Sequence, residues 1–270
     1  MPAPVTAIKR ILKNILPSAS RRWLRDKERQ FRHQFLPLRQ VRNFERLRRV
    51  TPISRDFGYF RGQCIDRYYI EQFLSAHALD IRGRVLEIQT DAYTCRFGGD
   101  RVTHSDVLHA DEGNPQATIV ADLTCAERIP SDIFDCIICT QTLLLIYDVR
   151  AAVQTLYRIL KPGGVLLVTV PGVAHKIARS DMDHGGDYWR FTSLSTRRLF
   201  EEVFPAENIK VKAYGNVLSA IAFLHGLVVQ ELRREELDYL DPDYEVSIAL
   251  RAVKPDQALR TRHRNGNSDE

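Results

Sequence analysis

The run His184-Gly185-Gly186-Asp187-Tyr188-Trp189-Arg190-Phe191-Thr192 gathers the side chains of this sequence best suited to act on a hydroxyl. His184 or Asp187 offers a proton acceptor or a hydrogen-bonding anchor. Tyr188 or Trp189 offers a flat face for a sugar ring, and Arg190 a guanidinium for an anionic group. The same residues have a structural use: Trp189 and Phe191 can pin the loop to a core, with Arg190 in a buried ion pair. His175, just beyond Val168-Thr169-Val170-Pro171-Gly172, is a further candidate base. A second polar set sits in or after short apolar runs: Glu87, Asp106, Asp122 and the pair Thr140-Gln141. Cys136 and Cys139 have CxxC spacing, but strand residues three apart face opposite sides, so no shared metal is expected.

These residues must be held by something, and the hydrophobic pattern says what. Residues 65–78 (IDRYYIEQFLSAHA) read as an amphipathic helix, followed by a short buried strand at 84–88. A second strand runs from Val102 to Asp106, and others read at 117–121, 134–139 and 165–170. Residues 147–160 form a helix that Lys161-Pro162-Gly163-Gly164 terminates, since proline cannot continue it and glycine permits the reversal. A helix near 195–204, capped by Ser193 or Ser195, a strand at 209–214, an apolar helix from Val217 and a strand at 244–253 complete the pattern. Alternating strands and helices predict a doubly wound parallel sheet. The stretches between Ile88 and Val102 and between Asp106 and Thr118 are near the minimum for a parallel crossover, so truncated or missing helices are expected there.

Charge divides the chain. Residues 1–50 carry fourteen Lys/Arg against three Asp/Glu, +11, so the net +5 leaves −6 for residues 51–270. Ile8, Ile11, Leu12, Ile15 and Leu16 stand at helical spacing among cations, and two more basic helical patterns follow. Three short basic helices cannot form a core alone and are expected to lie on the main domain, a partner protein or an anionic membrane. Nucleic-acid binding is supported only by Trp23, Phe31 and Phe35 in that arm and is not expected. Lys9, Arg10 and Lys13 interrupt residues 5–16, so no secretory signal is expected, and no run of 18 apolar residues predicts a membrane span. An odd set of five cysteines points to reduced thiols and a cytoplasm-like compartment, peripheral membrane contact through residues 1–50 aside. The expected division is a basic helical extension over 1–58, an α/β domain over 59–254 and a disordered polar tail over 255–270.

FDCIICTQTLLLI followed by RILKPGGVLLVTVPG resembles the fourth strand, helix and fifth strand of the class I S-adenosylmethionine-dependent methyltransferases. The resemblance covers about residues 60–253 and implies a Rossmann-like sheet of seven strands, the last antiparallel. More narrowly, GYFRGQCIDRYYIEQFL and GGDYWRFT resemble bacterial methyltransferase-domain proteins associated with glycosyltransferases, which implies such a partner. The family's pattern implies S-adenosylmethionine as cofactor, with Asp106 and Val107 at the ribose, Asp122 and Leu123 at the adenine, and Thr140-Gln141 closing on the methionine end. Glu87 matches the acid before the family's glycine-rich loop, serving either the ligand or the loop backbone. Asp106 and Asp122 have turn caps as their alternative. Where the family has three glycines this chain has Gln89, Asp91 and Tyr93, which add bulk and a carboxylate to the cradle. The resemblance and the GGDYWRFT loop together imply O-methylation of a saccharide or glycan intermediate. The missing glycines leave open a binding or scaffolding module that has kept the fold without catalysis. An NAD-dependent oxidoreductase is disfavoured by the absent GxGxxG.

Overall fold

A computed structural model describes residues 49–176 and 186–256. The basic helices expected before residue 49, His184 with its neighbour Gly185, and the tail beyond 256 lie outside the described residues.

The described chain opens with an irregular segment and the helix α1 (Ile65–Ala76), then enters the sheet at β1 (Gly83–Ile88). There follow β2 (Val102–His109), β3 (Ile119–Val120), β4 (Phe134–Thr140), α2 (Val149–Ile159) and β5 (Leu160–Pro171). Then come α3 (Ser193–Glu201), β6 (Ile209–Tyr214), α4 (Val217–His225), α5 (Arg234–Asp238) and β7 (Ser247–Val253). The seven strands lie in the order β3-β2-β1-β4-β5-β7-β6, and β7 runs antiparallel to both neighbours. This is the Rossmann-like α/β arrangement expected.

Strand alternation builds two cores on the two faces of the sheet. Leu86, Ile137, Cys139, Leu166 and Val168 join α2 and α3 on one face. Val85, Cys136, Ile138, Val165 and Leu167 join α1 and α4 on the other. Cys136 and Cys139 thus lie on opposite sides, and burial raises both thiols, Cys139 to about 12. Among the described residues no His, Cys, Asp and Glu cluster could hold a metal ion, and no helix is long and apolar enough to cross a membrane.

Capping explains the helix starts. The Asp148 carboxylate accepts the Ala151 N–H at 3.0 Å at the head of α2. At α3 the cap is Thr192, in a reciprocal box with Ser195, one residue before Ser193 and three before Ser195, the caps expected. The crossovers flanking β2 and β3 hold only irregular turns and short one-turn pieces, Thr94–Gly98 and Gly99–Arg101, as their brevity requires. β2 exceeds expectation: it runs to His109, because its pairing with β1 continues through Ile88↔Leu108. Lys161-Pro162-Gly163-Gly164 does not separate helix from strand. It is an excursion inside β5, with Leu160 already paired to Phe134 and Gly163 at φ 75°.

Candidate active site

Strands β1 and β4 are neighbours at the point where the chain order reverses, so their outgoing loops diverge and open a crevice at the carboxyl end of the sheet. Gln89, first beyond β1, donates its N–H to the Leu108 carbonyl at 2.9 Å and turns away at φ 74°. Gln141, first beyond β4, donates to the Thr169 carbonyl at 2.8 Å and turns away at φ 50°. The left-handed turn that glycine would make easily is made here by glutamine.

A cavity of about 840 Å³ borders these turns, lined among others by Thr90, Tyr93 and Gln141. Its other wall comes from residues 55–71, ahead of β1. That wall is fixed to α4 and the turn beyond it. Ile53 and Ser54 donate to the His225 carbonyl at 2.9 and 3.0 Å, and Arg61 donates to the Gly226 carbonyl at 2.6 Å and pairs with Glu231 at 2.9 Å. Gly226 ends α4 at φ 69°, and a Cβ there would stand 2.3 Å from the Ser54 carbonyl oxygen, so glycine serves both the turn and the close approach. The first turn of α1 thereby brings Asp66 and Arg67 to the cavity.

The loop after β1 is braced from inside. Glu87, 1% exposed, accepts hydrogen bonds from the Tyr93 N–H (3.2 Å), the Thr94 N–H (2.7 Å) and the Thr94 hydroxyl (2.8 Å). Burial raises its carboxyl and the Thr94 bonds oppose the rise. Of the two roles open to Glu87, the structure shows the orienting one. Tyr93 is buried, and its hydroxyl accepts from Arg67 at 3.0 Å, so its bulk is packed against the α1 wall. Asp91 does not line the cavity; it sits beside the Cys95 thiol at 3.6 Å.

Asp106 is not at the strand end. It stands level with Leu86, pairs with Arg84 at 2.7 Å and accepts from the Thr118 hydroxyl at 3.1 Å. The strand ends at His109, and the next carboxylate beyond it is Asp111, which accepts the Gly113 N–H at 2.8 Å. Val107 is a buried strand residue whose N–H donates to the Thr118 hydroxyl, and Leu123 belongs to the core, so neither side chain reaches the crevice. Asp122 follows β3 as expected and is exposed, with one oxygen accepting from the Thr124 N–H and hydroxyl. Thr140 is the last, half-buried residue of β4.

The loop after β5 is clamped. Arg190 pairs with Asp187 and donates to the carbonyls of Trp189 (2.8 Å) and His175 (2.7 Å). The Asp187 side chain is 1% exposed. Asp187 and Arg190 thus engage each other, the structural use open to Arg190, and the pair ties the chain after β5 to residues 187–190. His175 stacks on Phe57 with ring centroids 3.7 Å apart. Tyr188 and Trp189 both donate their N–H to the Leu144 carbonyl (2.9 and 3.3 Å), and the Trp189 indole donates to the Ile146 carbonyl at 2.9 Å. Their rings stay exposed and meet Tyr147, at centroid distances of 5.3 Å to Tyr188 and 6.0 Å to Trp189. Sequence reasoning missed Tyr147, Asp111, Asp66 and Arg67. Their positions come from strand register and from the docking of α1, which local pattern does not carry.

Fold and crevice define an α/β domain of the kind that binds a nucleoside-bearing cofactor at the carboxyl end of its sheet. The family profile of the methyltransferase domain matches residues 28–212, and the chain belongs to that family. It is an enzyme of the S-adenosylmethionine-dependent methyltransferase class, with that cofactor as methyl donor. No curated protein matches the chain. Similar solved structures include an S-adenosylmethionine-dependent methyltransferase from Archaeoglobus fulgidus, 12% identical, covering 70% of this chain and 94% of that one at a TM-score of 0.47. A cyclase is 16% identical and covers 73% of this chain and 85% of its own at a TM-score of 0.47. Phosphoethanolamine N-methyltransferase 2 from Haemonchus contortus, in complex with S-adenosylhomocysteine, is 16% identical and covers 70% of this chain and 53% of that one at a TM-score of 0.45.

The donor set of the crevice fits that cofactor. Arg67 and Lys176 are cations for a carboxylate, Thr90 and Gln141 are polar partners beside the two turns, and the left-handed Gln89 keeps the turn that glycine would otherwise supply. Asp111 and Asp122 stand beyond the ends of β2 and β3 and, like Asp91, do not line the cavity.

Proposed function

We propose that the chain methylates a hydroxyl of a saccharide or glycan intermediate. The exposed trio Tyr147, Tyr188 and Trp189 carries this reading. Tyr188 and Trp189 are pinned by backbone and indole hydrogen bonds and lose little freedom on meeting a ligand, Tyr147 packs against both, and aromatic faces suit the apolar faces of sugar rings. When bound, S-adenosylmethionine supplies an already activated methyl group, so the chain's task is alignment and acceptance of one proton from the hydroxyl. Arg67 and Lys176 would hold the carboxylate end of the cofactor, with Gln141 beside it. Asp111 would take the ribose and Asp122 the adenine side. The Asp187–Arg190 clamp fixes the loop that presents Tyr188 and Trp189.

The test is calorimetry of the purified chain with S-adenosylmethionine, followed by transfer of its labelled methyl group to a panel of mono- to tetrasaccharides. Binding together with label in saccharide product is the expected outcome. A folded chain that does not bind sinks the reading and favours the binding or scaffolding module, to which the buried Tyr93 at a glycine position also points. For the basic residues 1–50 we propose docking to a glycosyltransferase or to an anionic membrane. Flotation with anionic liposomes of the full chain and of the chain lacking them tests the membrane part, and equal flotation removes it.

A further inference from the structure

S-adenosylmethionine carries an α-ammonium, and an ammonium brought into a partly desolvated cleft needs an anion there. The acids before and in the loop after β1 do not serve: Glu87 is buried and already accepts three hydrogen bonds from the loop, and Asp91 lies off the cavity. Three carboxylates do line the cavity, Asp56, Asp66 and Glu71. Glu71 is taken by Arg96 at 2.8 Å and Gln63 at 2.9 Å. Asp56 is exposed, where water and salt weaken any pair it makes. Asp66 is half-buried, and the hydrogen bonds to its carboxylate come from its own segment, from the Arg67 N–H at 2.8 Å and from its own N–H.

We propose that Asp66 receives the α-ammonium of the cofactor. The proposal rests on the cofactor being bound in this crevice. The carboxylate is carried by the helix ahead of the sheet and not by the loop after β1. Withdrawal from water raises the Asp66 carboxyl, opposed by the charge of Arg67 and, more weakly, of His175. The groups facing it are Cys64 and Arg67 from its own segment, Tyr93 from the loop after β1 and His175 from the chain after β5. An ammonium favours the ionised carboxylate, so affinity rises with pH through the Asp66 titration and then levels off.

The experiment is calorimetry on the full chain with S-adenosylmethionine and S-adenosylhomocysteine, which share the ammonium and differ at sulfur. Asp66→Asn, which keeps an oxygen for the Arg67 N–H, is expected to weaken both ligands at least tenfold, about 1.4 kcal/mol. Asp66→Glu is expected to restore part of the loss, Asp56→Asn to stay within twofold of wild type, and the pH dependence to flatten in Asp66→Asn. Thermal unfolding of each variant establishes that it is folded. Should Asp66→Asn not fold, Asp66→Glu and the pH dependence of the wild type decide the matter, and an affinity flat with pH overturns the proposal. Binding within twofold of wild type in Asp66→Asn also overturns it. Weakening of S-adenosylmethionine alone does the same, by moving the contact to the sulfonium. A wild type that binds neither ligand removes the underlying cofactor reading, an outcome distinct from a binding wild type with an indifferent Asp66.

Discussion

Arg84 donates to Asp106 across β1 and β2 at 2.7 Å, and that bond keeps the carboxylate in the body of the sheet, away from its ligand-bearing edge. Asp106→Asn is therefore expected to leave S-adenosylmethionine affinity within twofold of wild type. Its cost is in stability, about 1 kcal/mol for a partly exposed pair. Asp111→Asn is expected to do the reverse, weakening the cofactor severalfold with little change in stability. Calorimetry and denaturant unfolding of the two variants check the contrast.

The turns at Gln89 and Gln141 make a second contrast. A left-handed backbone costs an L residue about 1–2 kcal/mol, and a β-branched side chain tolerates it least. Gln89→Gly relieves strain but adds freedom to the unfolded chain, so stability should stay within about 1 kcal/mol of wild type. Gln89→Val should lose about 2 kcal/mol or more. Urea unfolding at fixed pH reads both, and a stable valine variant would contradict the assigned turn.

Glu87 holds three donors in a buried place, so Glu87→Ala strands them all. A loss of about 3 kcal/mol is expected. Hydrogen exchange should quicken at Tyr93 and Thr94, whose N–H groups end on that carboxylate. Exchange unchanged at both amides would show that the loop does not depend on it.

Stability against pH should carry the mark of Asp80. Its burial acts to raise the carboxyl, but the hydrogen bonds and charge of Arg251, both at 2.8 Å, outweigh this and hold it below the usual range. A folded-state value below the unfolded one gives stability that is present above the unfolded titration and lost as pH falls through the folded one. Asp80→Asn should cost about 2 kcal/mol at pH 7. The gap from wild type should close as pH falls below about 4. Unfolding measured at pH 7 and pH 3 tests the sign.

Much of the sheet was legible because buried strands write themselves as apolar runs: residues 209–214 and the core of β4 are found where the pattern put them. The length of β2 was not: the pattern reads as ending at Asp106, whereas Val107 and Leu108 are buried and stay in the strand through pairing with Glu87 and Ile88. That error put Asp106 at a strand end that lies at His109. The aromatic pair Tyr188-Trp189 and an ion pair for Arg190 could be read, but not that Asp187 is its partner, because a sequence gives no sign of which charges are spent on each other. Asp66 was silent for a related reason. It looks like an ordinary first-turn acid of an amphipathic helix until α1 is placed against the crevice.

The position of β7 between β5 and β6 has a consequence for how the protein is made. β6 is complete at Tyr214, yet its only strand neighbour among the described residues is Ser247–Val253, and β5 keeps one edge bare for the same interval. A nascent chain emerging from the ribosome thus carries two unpaired strand edges until almost the whole domain has been translated, the condition in which edge-to-edge association between chains is favoured. Messages cut short before Ser247 should yield aggregates instead of smaller soluble domains, and the last few codons of the sheet decide whether the earlier ones were worth translating.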